Sequence, residues 1–217
     1  MGTFTTVVNG YANMWDSCVV SPEHADQVEL DRVVHKAMSL KLQLVAASEV
    51  SGPPWWWIAA SMYREADLDL SCYAGNGQKL NRITTIVPIN RGPFKSFADG
   101  CIDAYTLQRV DDRPLSSYLP DEWTIEFALY AAEDLNGPGY TAHKENSPYV
   151  WAGTNHEQPG LYTSDHGYDA TARDTRLGVA AVIKGLMAVD PTIVLMRSPR
   201  RQTMPGIGGG SPAPGDQ

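Results

Sequence analysis

Apolar residues recur at intervals of three and four along most of this chain, the spacing that places side chains on one helix face. We predict helices where this spacing holds, at about 21–38, 40–50, 53–66, 97–107, 121–135 and 174–189. The run ITTIV at 83–87 is instead rich in β-branched residues, which favour strands. The pattern therefore predicts a mainly α (α+β) fold with a small β-hairpin or loop insert after the helix at 53–66.

Cap and turn residues predict where these helices begin and end. Ser21-Pro22-Glu23 has the order of N-cap, first helical position and first-turn acid, so we expect a helix to begin there. Gly52 and the triplet Asn136-Gly137-Pro138 are typical of helix ends. Tyr140 to Thr171 is predicted to be one loop of about thirty residues, and loops of that length tend to carry function.

These signals divide the chain into three parts. Residues 1–20 are predicted to be an irregular N-terminal segment, although Tyr11, Trp15 and Val19 are spaced to pack together. Residues 21–196 are predicted to form one domain. Residues 197–217 are rich in Pro and Gly, which predicts a disordered tail.

The composition excludes several classes of protein. With 217 residues, 43% of them hydrophobic, the chain can bury a sizeable core. Its net charge of -8 argues against nucleic acid or an anionic membrane as the main partner. Cys18, Cys72 and Cys101 are far apart and form no CxxC motif, so we expect buried thiols rather than a zinc site.

The N-terminal residues indicate where the chain is made. MGTFTTVVNGYANMWDS has neither a basic region nor a long apolar region, so we expect synthesis in the host cytoplasm without a Sec signal peptide. The sequence contains no apolar run near the ~20 residues that span a bilayer, which predicts no membrane insertion.

Glu65 is the candidate catalytic residue, because it lies near the end of the apolar helix in PPWWWIAASMYREADLDL. It shares a helix face with Ile58 and Ser61, so its carboxyl group should be partly desolvated. Desolvation and the negative end of the helix dipole both raise the pKa of a carboxyl group, which allows proton donation near neutral pH. The alternative is a solvated glutamate paired with Arg64.

The predicted loop supplies side chains that suit a sugar ligand. Tyr149 and Trp151 offer rings for stacking, and Asn155 offers an amide for hydroxyl groups. Alternatively, the two rings anchor the loop on the core. A metal reading of His156, Asp165, His166 and Asp169 is disfavoured because they lack the i, i+4 spacing of helical ligands, so we predict no metal site.

Several motifs together resemble a known family. They are PWWWIAASMYREADLDL, AGNGQKL, RITTIVP, ALYAAEDLNGPGY and NSPYVWAGTNHEQPGLY, between about Tyr11 and Val189. They are similar to WFIAAIHxRES, HNGDPL, ALYFLExYNGxGY and NSPYLWSGTNH of phage and bacterial lysozyme-family proteins, and the NGPG turn resembles the NAGPG-type turn of lytic transglycosylases. Ala66 and Gln78 depart from this pattern, since relatives usually carry Ser and often Asp there.

The resemblance implies a lysozyme-like fold and a peptidoglycan-cleaving glycosidase, either an endolysin or a lysin carried on the virion. Glu65 would be the general acid, and Thr84 or Thr85 would position a water or bind the N-acetyl group. No cofactor is implied. The partners would be glycan strands of the cell wall and, in a virion, phage structural proteins. The implied glycan-binding residues are Tyr63, Asn136, Tyr140, Asn146, Tyr149, Trp151 and Asn155.

Other functions stay open from the sequence. Because Gln78 stands where an acid is expected, the chain can be a non-catalytic structural or glycan-binding component of a phage particle. A chitinase or chitosanase would share the fold and the acid chemistry. Hydrolysis and transglycosylation are both compatible with Glu65.

Overall fold

The computed structural model describes residues 2–137, 139–164 and 167–199, and this part of the chain is mainly helical. Its short strands pair as antiparallel hairpins, and 3-10 turns occupy Leu115–Ser117 and Pro120–Glu122. In chain order the elements are α1 (Phe4–Ser17), α2 (Gln27–Ser39), α3 (Lys41–Ser51), α4 (Trp55–Ala66), α5 (Phe97–Leu107), β1 (Arg109–Val110), β2 (Arg113–Pro114), α6 (Ile125–Asn136), α7 (Gly139–His143), α8 (Pro148–Trp151), β3 (Leu161–Ser164), β4 (Gly167–Asp169) and α9 (Val179–Val189).

The helix α4 lies at the centre of the molecule and is buried on all sides along most of its length. It packs against α3 and α9, and the Trp57 indole donates a hydrogen bond of 2.8 Å to the Ala128 carbonyl of α6. Gly52 ends α3 with φ +103°, as predicted. A Cβ atom at Gly52 would lie 2.9 Å from the Ser116 backbone, so glycine is required there.

The prediction of an irregular segment at 1–20 is wrong, because α1 occupies most of it. Tyr11 and Trp15 are buried in the same core as the other helices, and α1 packs along α6. Only Val19 of the spaced apolar set is exposed. The start of α2 was also misplaced. The Asp26 side chain caps it by accepting from the Val28 amide, five residues after the predicted cap at Ser21.

The β-prone run at 83–87 forms no strand. Its backbone lies in a loop between α4 and α5. There the Thr84 amide donates to the Arg91 carbonyl, and the amides of Thr85 and Ile86 donate to the Gln78 side chain rather than to a neighbouring strand. The insert after α4 is therefore a loop, with one isolated bridge between Cys72 and Lys79. Both described hairpins lie elsewhere in the chain.

The segment from Tyr140 to Thr171 is more ordered than predicted, since it contains most of α7, all of α8 and the hairpin β3–β4. The predicted tail also begins too early. Arg197 and Ser198 are bound by the buried Glu126 of α6, so they belong to the domain. The rest of the predicted tail, from residue 200, lies outside the described residues.

The remaining sequence expectations concern cysteines and membranes. Cys18, Cys72 and Cys101 are buried thiols, and burial raises the pKa of Cys101 to about 12. Within the described ranges, no helix has the length and apolar character needed to cross a membrane.

Candidate active site

The Glu65 carboxyl group lies on the last turn of α4, half-buried among protein atoms. The Tyr149 hydroxyl, from α8, donates a hydrogen bond of 2.9 Å to Glu65 Oε1. Burial raises the pKa of Glu65 above its ordinary value, while the Tyr149 hydrogen bond and the charges of Arg64 and Arg176 pull it down. Burial is the larger effect, so the group favours its protonated form more than a solvated glutamate does.

A cavity of about 200 Å³ adjoins this pair, with Tyr149 in its wall. It is lined mainly by aromatic, amide and cationic side chains, a mixture suited to sugar rings and their hydroxyl groups. The principal lining residues are Arg64, Asn136, Tyr140, Tyr149, Tyr162 and Arg176. The structure thus brings Asn136, Tyr140 and Tyr149, three of the predicted binding residues, to one place beside Glu65. Pro138 of the NGPG turn lies outside the described residues.

Two arginines hold this cavity wall in place. Arg64 Nη2 lies 2.5 Å from Asp174 Oδ2, and both side chains are almost fully buried. Arg176 contacts Asp174 as well and donates to the Arg64 carbonyl at 3.0 Å. Although burial opposes ionisation, Arg64 and Arg176 hold the pKa of Asp174 below its ordinary value. The alternative hypothesis, a solvated Glu65 paired with Arg64, is therefore not supported, because Arg64 forms its ion pair with Asp174.

The AGNG turn packs directly against the end of α4. Gly77 has φ +71°, and a Cβ atom there would lie 2.5 Å from the Glu65 carbonyl oxygen, so only glycine allows this contact. The next residue, Gln78, accepts from the Thr85 amide at 2.7 Å and donates to the Thr85 hydroxyl at 2.9 Å. The departure from the family pattern at Gln78 thus supports the loop that carries Thr85.

Thr84 and Thr85 have different environments. The Thr84 side chain is buried, donates to the Pro88 carbonyl at 2.6 Å and accepts from the Arg91 amide at 2.9 Å. Its hydroxyl makes both of these bonds within the loop, which does not favour the predicted role of Thr84 in positioning water or binding the N-acetyl group. Thr85 is exposed, and it keeps the candidate role.

Tyr63 and Trp151 do not line the cavity beside Glu65. The Tyr63 hydroxyl donates to Glu29 at 3.0 Å and accepts from the Leu177 amide at 3.1 Å, which joins α4 to α2 and to the approach of α9. Trp151 is fully buried in the core, as the alternative for this ring predicted.

The two predicted asparagines Asn146 and Asn155 are also absent from the lining of the cavity beside Glu65, and Asn146 lines a second cavity. Asn146 donates to the His156 carbonyl at 2.9 Å, and Asn155 accepts from the Val19 amide at 2.9 Å. Asn146 thus joins two parts of the long segment, and Asn155 joins this segment to the end of α1. Asparagine side chains commonly hydrogen-bond to backbone groups in irregular segments.

The sequence analysis did not identify Glu133, another half-buried glutamate. Tyr11 donates to Glu133 Oε2 at 2.7 Å, and burial raises the pKa of Glu133. The pair borders another cavity, of about 170 Å³, between α1 and α6. The sequence did contain a signal for the partial burial of Glu133, because this residue lies four positions after the buried Leu129 and shares its helix face.

The described residues contain no group of three or more His, Cys, Asp or Glu side chains that could hold a metal ion. His156 Nε2 instead bonds to the Met14 carbonyl at 2.8 Å, and Asp169 caps the turn at Thr171. Asp165 and His166 lie outside the described residues.

Comparisons with models of protein families, with curated proteins and with solved structures find no match for this chain.

Proposed function

We propose that this protein is a glycosidase that cleaves β-1,4 bonds of peptidoglycan glycan strands with Glu65 as general acid. The observation that carries the proposal is the half-buried Glu65 carboxyl group, with raised pKa, bonded by a tyrosine in the wall of a polar and aromatic cavity. Peptidoglycan as substrate, the lysozyme-like fold and action at the cell wall or on a virion rest on the sequence resemblance.

In this reaction Glu65 protonates the glycosidic oxygen while the sugar develops oxocarbenium character. Positioned proton transfer contributes about 100- to 10,000-fold to such rates. The hydrogen bond from Tyr149 orients the carboxyl group, and its other oxygen is left for the substrate. Asn136, Tyr140 and Tyr162 supply polar and aromatic contacts to the glycan.

The surrounding acids support a mechanism with a single carboxyl group. Inverting hydrolysis needs a second carboxylate about 6.5–9.5 Å from the acid, free to activate water. Asp67 is bound by Arg32 and Lys36, Asp69 is bound by Lys79, and Asp174 is bound by two arginines. We therefore favour a route in which Glu65 donates its proton and then accepts the proton of the sugar's own 6-hydroxyl, leaving a 1,6-anhydro end.

The decisive experiment compares Glu65→Gln with Glu133→Gln in a cell-wall clearing assay. Both residues are half-buried glutamates with raised pKa values and a tyrosine donor, so the second variant is a matched control. We expect Glu65→Gln to lose at least about 100-fold in rate and Glu133→Gln to keep most of it. Equal clearing by Glu65→Gln and wild type, or a loss seen only in Glu133→Gln, would refute the assignment.

The masses of the released muropeptides test the chemistry after cleavage. Anhydro ends are lighter than reducing ends by one water. Reducing ends alone would refute the transglycosylase route and show hydrolysis, a reaction in which the exposed Thr85 is the candidate for holding the attacking water. The same assay on chitin decides between peptidoglycan and chitin as substrate.

The second candidate function is a glycan-binding component without turnover. It is favoured by Gln78, whose side-chain amide donates one hydrogen bond and accepts two in holding the Thr85 segment, at a position where relatives often carry an acid. This candidate predicts that wild type and Glu65→Gln bind cell walls equally and that neither cleaves them.

A further inference from the structure

A closed loop beside the candidate site presents aliphatic side chains to solvent. Its ends meet where the Phe94 amide donates to the Leu80 carbonyl at 2.7 Å, and we call residues 80–94 the apolar loop. Within it four aliphatic residues have high exposed fractions: Ile83 48%, Ile86 53%, Val87 84% and Ile89 54%. Contiguous apolar surface of this kind commonly marks an interaction site.

The apolar loop is held in shape by polar contacts rather than by burial of these side chains. Asn76 donates to the Ile86 carbonyl at 3.0 Å, and Gln78 accepts from the Ile86 amide at 3.2 Å. Thr84 bridges Pro88 and Arg91 from inside. The loop therefore has its shape before any partner binds, with its aliphatic residues facing outward.

The charge around the apolar loop is opposite to that of the whole chain. Residues 69–103 contain four Lys or Arg and three Asp, a net charge of +1, whereas the whole chain carries a net charge of -8. Lys79 pairs with Asp69, and Arg91 pairs with Asp103. Arg82 and Lys95 are exposed and form no ion pair within the described part of the chain. Aliphatic side chains flanked by free cations suit a partner that is apolar inside and anionic at its surface.

We propose that the apolar loop docks this protein on a lipid bilayer with anionic headgroups, a local contact that the net charge of the whole chain did not predict. Ile83, Val87 and Ile89 enter the boundary between headgroups and acyl chains, and Arg82 and Lys95 pair with lipid phosphates. A protein partner fits less well, because protein interfaces depend on Trp, Tyr and Arg anchors, and the exposed side chains here are mainly Ile and Val. The AGNG turn links the loop to the end of α4, because Gly77 packs on the Glu65 carbonyl and Gln78 bonds to Thr85 of the loop, so docking would hold the candidate site near the membrane surface.

Vesicle co-sedimentation of the full chain tests this proposal. Wild type should sediment with vesicles of phosphatidylglycerol and phosphatidylcholine and stay in solution with pure phosphatidylcholine. Val87→Ser/Ile89→Ser should bind at least about tenfold more weakly, since it removes apolar surface from the membrane contact. Arg82→Gln/Lys95→Gln should bind about fivefold more weakly for each charge removed.

Matched variants outside the apolar loop are the controls. Val28 and Leu42 are 77% and 85% exposed on other helices, so Val28→Ser/Leu42→Ser removes similar surface and should bind like wild type. Arg109→Gln/Lys144→Gln likewise controls for net charge. A tryptophan at position 87 should shift its emission to shorter wavelength with anionic vesicles, and one at position 42 should not.

Failure of wild type to bind anionic vesicles, or equal binding to both vesicle types, would overturn the proposal. So would vesicle binding that the loop variants leave unchanged. A dimer in solution that Val87→Ser/Ile89→Ser dissociates would assign the surface to a second copy instead. Glu65→Gln should bind vesicles like wild type, so this test is independent of the proposed glycosidase activity.

Discussion

At the scale of single residues, the state of Glu65 is decided by opposing effects on its carboxyl group. Burial favours the neutral acid, whereas the Tyr149 hydroxyl and two arginines favour the carboxylate. A general acid must be protonated to work, so activity should fall as pH rises through the raised pKa of Glu65. Tyr149 therefore sets the upper end of the active pH range while it orients the acid.

Tyr149→Phe tests this balance. The variant keeps the ring but removes the donor that stabilises the carboxylate, so the pKa of Glu65 should rise further. We expect the alkaline limb of the pH–rate profile to move up by about one pH unit, since hydrogen bonds to charged groups are worth ~1.5–3 kcal/mol. Tyr11→Phe, which removes the equivalent donor to Glu133, should leave the profile in place. An alkaline limb that does not move in Tyr149→Phe would contradict the assignment of that limb to Glu65.

At the scale of elements, a buried ion pair joins α4 to the segment that leads into α9. Arg64 comes from the last turn of α4, and Asp174 lies five residues before the start of that helix. The pair fixes the wall of the candidate site, because Arg64 and Asp174 both line the cavity. Such pairs contribute little compared with apolar packing, but removing one partner leaves the other charge buried and uncompensated.

Asp174→Ala should therefore lower the free energy of unfolding by about 3–5 kcal/mol, measured by denaturant unfolding. Lys79→Ala is the control, because it breaks an ion pair whose two side chains are both largely exposed. The denaturant concentration at the unfolding midpoint of Lys79→Ala should stay close to that of wild type. Equal midpoints for Asp174→Ala and wild type would show that Arg64 finds another partner.

At the scale of the whole molecule, one hydrophobic core extends from α1 to α9. The first helix contributes Tyr11 and Trp15 to it, and Lys184 of α9 lies 4.1 Å above the Trp15 ring. The N-terminal residues are thus part of the domain, and its unfolding should be a single cooperative transition.

Trp15→Ala tests this continuity. Deleting a buried tryptophan costs ~3–5 kcal/mol, and because the core is shared, the whole unfolding transition should move rather than one early phase. Val19→Ala, on the exposed residue that follows α1, should change stability by less than about 0.5 kcal/mol. If Trp15→Ala showed a separate early unfolding transition followed by a main transition at the wild-type position, the N-terminal segment would unfold independently of the domain.

The local sequence was sufficient for several features, because they depend on neighbours along the chain. Helical spacing predicted α3, α4, α5 and α6 closely, since a helix makes its hydrogen bonds within itself. Gly52 marked a helix end, and the position of Glu65 on an apolar helix predicted its partial burial and raised pKa. The spacing of Tyr11 and Trp15 also indicated α1, but the sequence offered no capping residue to mark where that helix begins.

Other features were decided by residues that are distant in sequence. Tyr149 reaches Glu65 across 84 positions and Asp174 reaches Arg64 across 110, so no local pattern selects those partners. The run at 83–87 had strand propensity, but a strand needs a neighbouring strand, and Asn76 and Gln78 supplied its hydrogen bonds instead. Trp151 and Tyr149 are two residues apart and both are buried in the core, yet the Tyr149 hydroxyl alone reaches the acid. Propensity is a property of the chain segment, whereas burial and partnership are properties of the folded whole.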